Sequence, residues 1–300
     1  MLHGIALRYF VEVARTGSIA AASHTLHVAM SAISRQIAKL EGEVGTPLFE
    51  RLPRGMVLTE SGEQLARYAR RALLDGETVL GEIAGLHALG GGVVRVGCTE
   101  GFTRTFMPSL FAAHYLDHPR ARFLLRAGTP SQVEHWVATG DVDIGLAFST
   151  AESTAVQIEF ATQAPVCALV PRGHVLDRRE ALTLDELLAH PVVLLERGTT
   201  VRQVIDWCCS ARGIQFEPLM TSNDSSALHH FAALTGAVTL GSRLALMDAA
   251  GPSALRARRI DEPLLDNRRL QVMVMKERRL PSNVARLLQR LIDVLRSQGD

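Results

Sequence analysis

Net charge is the first thing this sequence lacks. In 300 residues, 32 Lys and Arg stand against 31 Asp and Glu, leaving +1. Bulk charge makes no case for a polyanionic partner, so any such case rests on where the charges sit. The N-terminal part is balanced too, with Arg8, Arg15, Arg35, Lys39, Arg51 and Arg54 against Glu12, Glu41, Glu43, Glu50, Glu60 and Glu63. Long apolar runs are also missing. No stretch approaches the ~20 apolar residues of a membrane span, so no membrane partner is expected. His3, Arg8, Glu12 and Arg15 interrupt the first apolar residues at helical spacing, unlike a secretory leader. Cysteine is scarce: Cys98, Cys167, Cys208 and Cys209 form no CxxC pair and no metal-ligand spacing. A reduced, cytoplasmic protein is expected. Cys208 and Cys209 are helix neighbours that cannot readily close a disulfide together. Catalytic signatures are absent as well. There is no GxSxG, P-loop or HExxH, no Lys-Ser/Thr follows Gly90–Gly92, and His229-His230 has no third ligand beside it. The expectation is a protein that is not an enzyme and uses no metal or cofactor.

What is present begins at the N-terminus. Ile5, Phe10, Val13 and Ala14 mark a first helix, and Thr16-Gly17-Ser18 breaks it. Ser18 is placed to cap a second helix, in which Ala21 and Ala22 let another helix cross closely and Leu26 faces inward. After a turn at His27-Val28-Ala29, a third helix carries Ile33, Ile37, Leu40 and Val44 as one apolar stripe. Met30, Ser31, Ser34, Arg35 and Lys39 fall on other faces, where hydroxyls, an Arg and a Lys suit base edges and phosphates, and Met30 suits a thymine methyl. Residues 49–58 read as a β-hairpin with Arg51 and Arg54 near its tip. This is a DNA reader with a wing, or a generic three-helix bundle with a solvated polar face; periodicity leaves both open.

From Thr59 a long helix runs to about His87. Leu65, Ala69, Ala72, Gly76, Val79, Ile83 and Leu86 alternate steps of four and three, a heptad seam for pairing two helices. A single amphipathic helix on its own domain is the alternative. Leu89-Gly90-Gly91-Gly92 then forms a hinge.

Beyond Val93 short apolar strands alternate with helices, which predicts an α/β architecture with parallel sheets. Strands are expected at 93–97, 122–126, 143–148, 166–170, 192–195, 237–240 and 270–274. Helices are expected at 106–117, 130–138, 200–212 and 281–295. Two lobes result, joined by crossings near Ala161–Pro165 and Pro263–Arg268, with a cleft between them. Helix N-termini expected at Phe102–Arg104 and at Thr200 favour a carboxylate. Glu100 either faces an amine, which makes the ligand amino-acid-like, or faces solvent or Arg104. Cys98 lies beside the expected cleft with no visible activating base.

The run Leu7-x-x-Phe10, Gly17-Ser18-Ile19, Ala21-Ala22, Leu26, Ser31 through Ile37, Leu40-Glu41, Gly45, Leu48-Phe49-x-Arg51, Leu58-Thr59 and Gly62 resembles the N-terminal signature of LysR-type transcriptional regulators. The sequence departs at Ala29 and Met30, where family members often carry a polar residue or proline. Met107-Pro108, His118-Pro119, residues 140–144 and Val170-x-x-x-His174 resemble the family's effector-binding domain, related to periplasmic binding proteins. Thr235-Gly236-Ala237 stands in place of a common Gly-x-Gly.

The resemblance implies a winged helix-turn-helix over residues 1–59, a dimerising linker helix and hinge over 60–90, and a two-lobed domain over 91–300. The first lobe would hold 91–162 and 267–300, the second 163–266. It implies double-stranded promoter DNA as partner, contact with RNA polymerase direct or indirect, and a homodimer through the linker helix assembling to a homotetramer. Half-sites would lie ~10 bp apart or a multiple of that. A small effector would meet Thr99, Glu100, Gly101, Phe102, Thr129, Phe148, Thr200, Arg202 and Asn223. Two other classes are weighed: an enzyme that acquired a DNA-binding domain, and an architectural protein whose C-terminal half only oligomerises.

Overall fold

The computed structural model describes residues 4–53, 55–83, 91–151, 153–246 and 254–297. Arg54, the helix beyond Ile83 and the hinge at Leu89-Gly90 lie outside the described residues. The chain divides into two compact units: Met1–Gly85 with Glu277–Leu280, and Leu86–Lys276 with Pro281–Asp300.

The first unit contains α1 (Ile5–Thr16), α2 (Ile19–Leu26), α3 (Met30–Val44), β1 (Phe49–Leu52), β2 (Gly55–Leu58) and α4 (Glu60–Ile83). Leu7, Phe10 and Val13 bury one face of α1 against Ala22 of α2 and Ile33, Ile37 and Leu40 of α3. Expected capping is present: the Ser18 hydroxyl accepts the Ala21 N–H at 3.4 Å. Gly17 closes α1 in the left-handed region at φ 65°. Ile5 and Val44, read as core positions, are 61% and 40% exposed. Each is the terminal residue of its helix and lies beyond the reach of the facing element. Ala21 is likewise exposed, and Ala22 alone makes the close crossing.

The wing is tied to the helices at two places. Met56 N–H donates to the Gly17 carbonyl at 2.8 Å. The Glu41 carboxylate accepts from Leu48 N–H at 2.9 Å and Phe49 N–H at 3.4 Å. These bonds fix the chain between α3 and β1, and Phe49 packs against Phe10 with the rings tilted and their centroids 5.2 Å apart. Gly62 sits where α4 crosses the wing, and a Cβ there would overlap the Leu48 carbonyl. Gly62→Ala should therefore lower stability by about 2 kcal/mol despite the better helix propensity of alanine. Urea denaturation checks this, and an unchanged midpoint would show that the crossing has slack.

The second unit contains β3 (Gly92–Cys98), α5 (Phe106–Asp117), β4 (Ala121–Ala127), α6 (Pro130–Thr139), β5 (Ile144–Ser149), β6 (Gln157–Gln163), β7 (Cys167–Pro171), β8 (Ala181–Leu182), α7 (Leu184–Leu188), β9 (Val192–Leu195), α8 (Thr200–Ala211), β10 (Met220–Ser222), α9 (Ser225–Thr235), β11 (Val238–Gly241), β12 (Leu255–Ile260), α10 (Pro263–Asp266), β13 (Arg269–Val274) and α11 (Ser282–Arg296). One sheet has the order β4-β3-β5-β13-β6 and the other β10-β9-β11-β7-β12-β8. The α/β class stands, and the purely parallel expectation is corrected. β13 runs antiparallel to β5 and β6, and β7 antiparallel to β11 and β12.

The reason is the path between lobes. The chain leaves the first lobe through β6 and re-enters through β13, so the two strands lie side by side in opposite senses. β6 was not expected; the expected crossing at Ala161–Pro165 overlaps it, and strand pairing continues to Gln163 opposite Arg269. On the return, Pro263–Asp266 is a short helix rather than extended chain. The crossings are stitched together, because Ala164 N–H donates to the Arg268 carbonyl and Val166 N–H to the Leu265 carbonyl.

Candidate DNA-reading face and effector cavity

On α3 the buried Ile33, Ile37 and Leu40 define one side. Ser31, Arg35 and Lys39, four residues apart, project from the opposite side and are exposed, with Ser34 half-buried beside them. Met30 is 52% exposed at the first turn. Ala29 precedes it as N-cap without a side-chain acceptor, so the first-turn N–H groups keep no side-chain partner. Arg35 forms no ion pair among the described residues, whereas Lys39 reaches Glu43 at 4.0 Å. Arg51 is exposed on β1 of the wing. Arg54 falls outside the described residues. The face therefore combines hydroxyls, an apolar tip and two exposed cations on one helix, of which Arg35 has no ion pair among the described residues.

The cavity in the second unit has a volume of about 340 Å³, at the small end for metabolite pockets. Of the residues expected there, Thr99, Glu100, Gly101, Thr129, Phe148, Thr200 and Asn223 line it. Phe102 and Arg202 are not among its lining residues. Phe102 is fully buried behind the wall, stacked on Phe148 at 5.1 Å between ring centroids. Arg202 spends its guanidinium on Asp206, one helical turn along α8, at 2.8 Å. That pairing keeps it out of the cleft.

The expected helix start at Phe102–Arg104 is also corrected. A single 3-10 turn occupies Glu100–Phe102, and α5 begins at Phe106. The helix N-terminus at Thr200 is present, with Thr199 accepting the Arg202 N–H at 3.3 Å. Thr129 starts α6 in a reciprocal capping box with Gln132. Glu100 is half-buried and forms no ion pair with Arg104 among the described residues. Its carboxylate accepts the Ser225 N–H of α9 at 3.0 Å, bridging the two lobes. Cys98 is fully buried, and burial pushes its thiol up to about 12, with Glu100 adding to the effect. The thiolate needed for reactivity is suppressed.

Sequence reasoning missed two lining residues of this cavity, His229 and Arg268, and the unpartnered state of the Thr99 hydroxyl. His229 lines it from α9, and burial lowers its pKa, which favours the neutral imidazole. Thr99 points a buried hydroxyl without a hydrogen-bond partner. Arg268, from the returning crossing, lines the cavity at 1% exposure. Nothing in the local run Asn267-Arg268-Arg269 distinguishes it from a solvated basic pair.

A winged helix-turn-helix in one chain with a two-lobed unit that holds a metabolite-sized cleft defines a ligand-responsive DNA-binding regulator. The comparisons with known proteins agree. A model of the bacterial regulatory helix-turn-helix protein, lysR family, matches residues 5–63, and one of the LysR substrate binding domain matches residues 87–296. The chain belongs to the LysR family of transcriptional regulators. It is 30% identical over 230 residues to the HTH-type transcriptional regulator YeiE of Escherichia coli, covering 75% of each chain. It is 29% identical over 214 residues to the regulator AlsR of Bacillus subtilis, covering 71% of this chain and 70% of that one. Among solved structures, a full-length OxyR variant of Pseudomonas aeruginosa superposes with TM-score 0.68 at 20% identity, covering 98% of this chain and 95% of that one. Full-length CbnR complexed with its target DNA superposes with TM-score 0.53 at 21% identity, covering 98% and 99%. No helix among the described residues is long and apolar enough to cross a membrane.

Proposed function

We propose that this regulator reads promoter DNA in the cytoplasm with α3 in the major groove and the wing beside it. A small effector in the cleft of the second unit would set its activity. The observation that carries the first part is the Ser31–Arg35–Lys39 stripe, exposed and opposite a fully buried apolar stripe. Ser34 and Met30 flank the base edges, and Arg51 and Arg54 meet the phosphate backbone. For the second part, the support is a cavity lined from both lobes, whose two crossings are joined by backbone hydrogen bonds. Ligand that fits one lobe arrangement better than another shifts the population between them, and contact with RNA polymerase follows from the altered assembly on DNA.

The linker helix supports a homodimer, with a homotetramer as the larger assembly. Its Gly76, Val79, Leu80 and Ile83 leave an apolar stripe exposed on the single chain. The upper part of the seam behaves differently, since Ala69 and Leu65 pack on the protomer's own core. Pairing therefore belongs to the half of the seam beyond Ala72. The effector is a carboxylate or an amino-acid-like molecule: Glu100 lends one carboxylate oxygen to Ser225 N–H and still lines the cavity.

The test is a nuclease footprint of the purified protein on DNA flanking its own gene, with and without metabolite mixtures. Protected patches spaced by whole helical turns, changed by an effector, are the expected result. No protection by any assembly at moderate salt would remove the DNA-reading role from this face. Arg35→Ala should cost about 1–3 kcal/mol on the specific site and relax preference at one base pair. Lys39→Ala should weaken all sequences alike and reduce the salt slope by about one. An unchanged footprint for the Arg35 variant excludes base contact.

A further inference from the structure

Arg268 is a buried cation without a counter-charge. Its Nε donates to the Ala164 carbonyl at 2.9 Å. Nη2 is buried with no partner, and no Asp or Glu among the described residues pairs with the guanidinium. The Phe148 ring lies 4.2 Å from its central carbon, so an aromatic face rather than a carboxylate holds its plane. Burial lowers its pKa to about 10, still well above neutrality, so the charge remains. A retained charge buried without a carboxylate partner calls for an anion. The same residue lines the cavity, where Thr99 also offers a buried hydroxyl without a partner.

We propose that Arg268 is the anion anchor of this cavity and takes the carboxylate of a small organic acid. The apolar body of the acid lies against Phe148, Leu195, Val201 and Leu240, which line the same space. This inference rests on the reading of the cavity as the effector site and adds the residue to which a carboxylate effector attaches. Arginine suits the position because one donor, Nε, serves the protein while the Nη groups stay free for a planar oxyanion. The attachment point is also the pivot: Arg268 accepts the Ala164 N–H through its own carbonyl and returns Nε to the Ala164 carbonyl. A carboxylate held there bears directly on the segment where the chain passes between lobes, and so couples occupancy to lobe geometry.

The experiment uses full-length wild type, R268M and R268K, melted at constant ionic strength. Sodium acetate and sodium benzoate are compared with acetamide and benzamide. The carboxylates should raise the wild-type midpoint by several degrees in a dose-dependent way, and the amides should not. R268M should melt at or above wild type without additive, since an unpaired buried charge has been replaced by an apolar chain of similar length, and should ignore the carboxylates. R268K should keep a reduced response, and that reduction tests the anchor even if R268M fails to fold. Carboxylate responses preserved in R268M, or absent from wild type, overturn the proposal. A lower R268M midpoint together with an inert wild type makes Arg268 a hinge pin alone. An uncharged or cationic metabolite that alters the footprint while carboxylates stay inert removes the anchor and leaves the effector reading intact. No metabolite of any charge altering the footprint removes the effector reading itself.

Discussion

Replacing Leu80 and Ile83 together by glutamate should turn the proposed dimer into monomers and cost the footprint most of its strength. Leu80 is 68% and Ile83 78% exposed on the single chain. They follow Gly76 and Val79 at helical spacing, so the four form one stripe. Burying a Leu or Ile fully is worth about 1.5–3 kcal/mol, and a symmetric pair of helices buries each residue twice. Part of that gain offsets the lost freedom of association and side-chain ordering. Removing two such side chains per protomer, and placing carboxylates of like charge opposite one another, should still weaken dimerisation by ~100-fold or more. Two half-site contacts then no longer act as one, and affinity for the full site should fall by ~10²–10⁴. Because both side chains are solvated in the single chain, helix content should not change. Sedimentation gives the mass and circular dichroism the helix content. An unchanged dimer mass would mean that this stripe is not the pairing surface.

Leu80 of that stripe lies outside the heptad seam read from the sequence, whereas Gly76, Val79 and Ile83 were legible because a helix records its own faces locally. The same holds for α1 to α3: their apolar spacings, the Ser18 cap and the glycines at 17 and 45 all act within a few residues. Elements missed by the sequence reading are those whose pattern is set from a distance. β6 alternates between exposed and half-buried along Gln157–Gln163, and carries little apolar signal. β12 reads as a basic loop through Arg256, Arg258 and Arg259, yet it lies between β7 and β8. Arg258 becomes acceptable there because Asp177 receives its guanidinium at 2.7 Å.

The candidate cavity divides the same way. Thr129, Thr200 and Asn223 stand at strand ends and helix starts, which the α/β pattern places at a cleft. Glu100 meets a backbone amide 125 positions away in sequence. Arg268 is buried because two crossings converge on it. No period in the sequence carries either fact. A resemblance at the level of motifs pointed to Arg202, and the local i,i+4 pair with Asp206 removed it.

Acid should loosen the first lobe before it titrates any carboxylate. His114, on the inner face of α5, is 1% exposed, and its Nε2 has no hydrogen-bond partner. Burial, then the charges of His118, Arg290 and Arg286, lower its pKa to about 4, while Asp117 opposes them weakly. His118 belongs to the loop that ends α5, the two arginines come from α11, and Phe123 of β4 meets the imidazole edge-on at 5.9 Å. An unfolded histidine titrates near 6.5. Between these values the unfolded chain binds the proton and the folded chain does not, so stability falls as pH falls. The loss from this group should reach about 2 kcal/mol by pH 5 and about 3 kcal/mol by pH 4. His174 and His229 are lowered in the same direction and steepen the same window. Asp177 has a lowered pKa, so its contribution is lost only below the ordinary carboxylate range, which separates the two effects. Urea unfolding followed by tryptophan fluorescence should give a midpoint that drops between pH 7 and pH 5. His114→Leu, which removes a buried imidazole already lacking a partner, should flatten that dependence while leaving stability at pH 7 equal or higher. A variant as steep as wild type would show that the protonated imidazole finds solvent or a carboxylate, and that the α5–α11 contact carries no acid sensitivity.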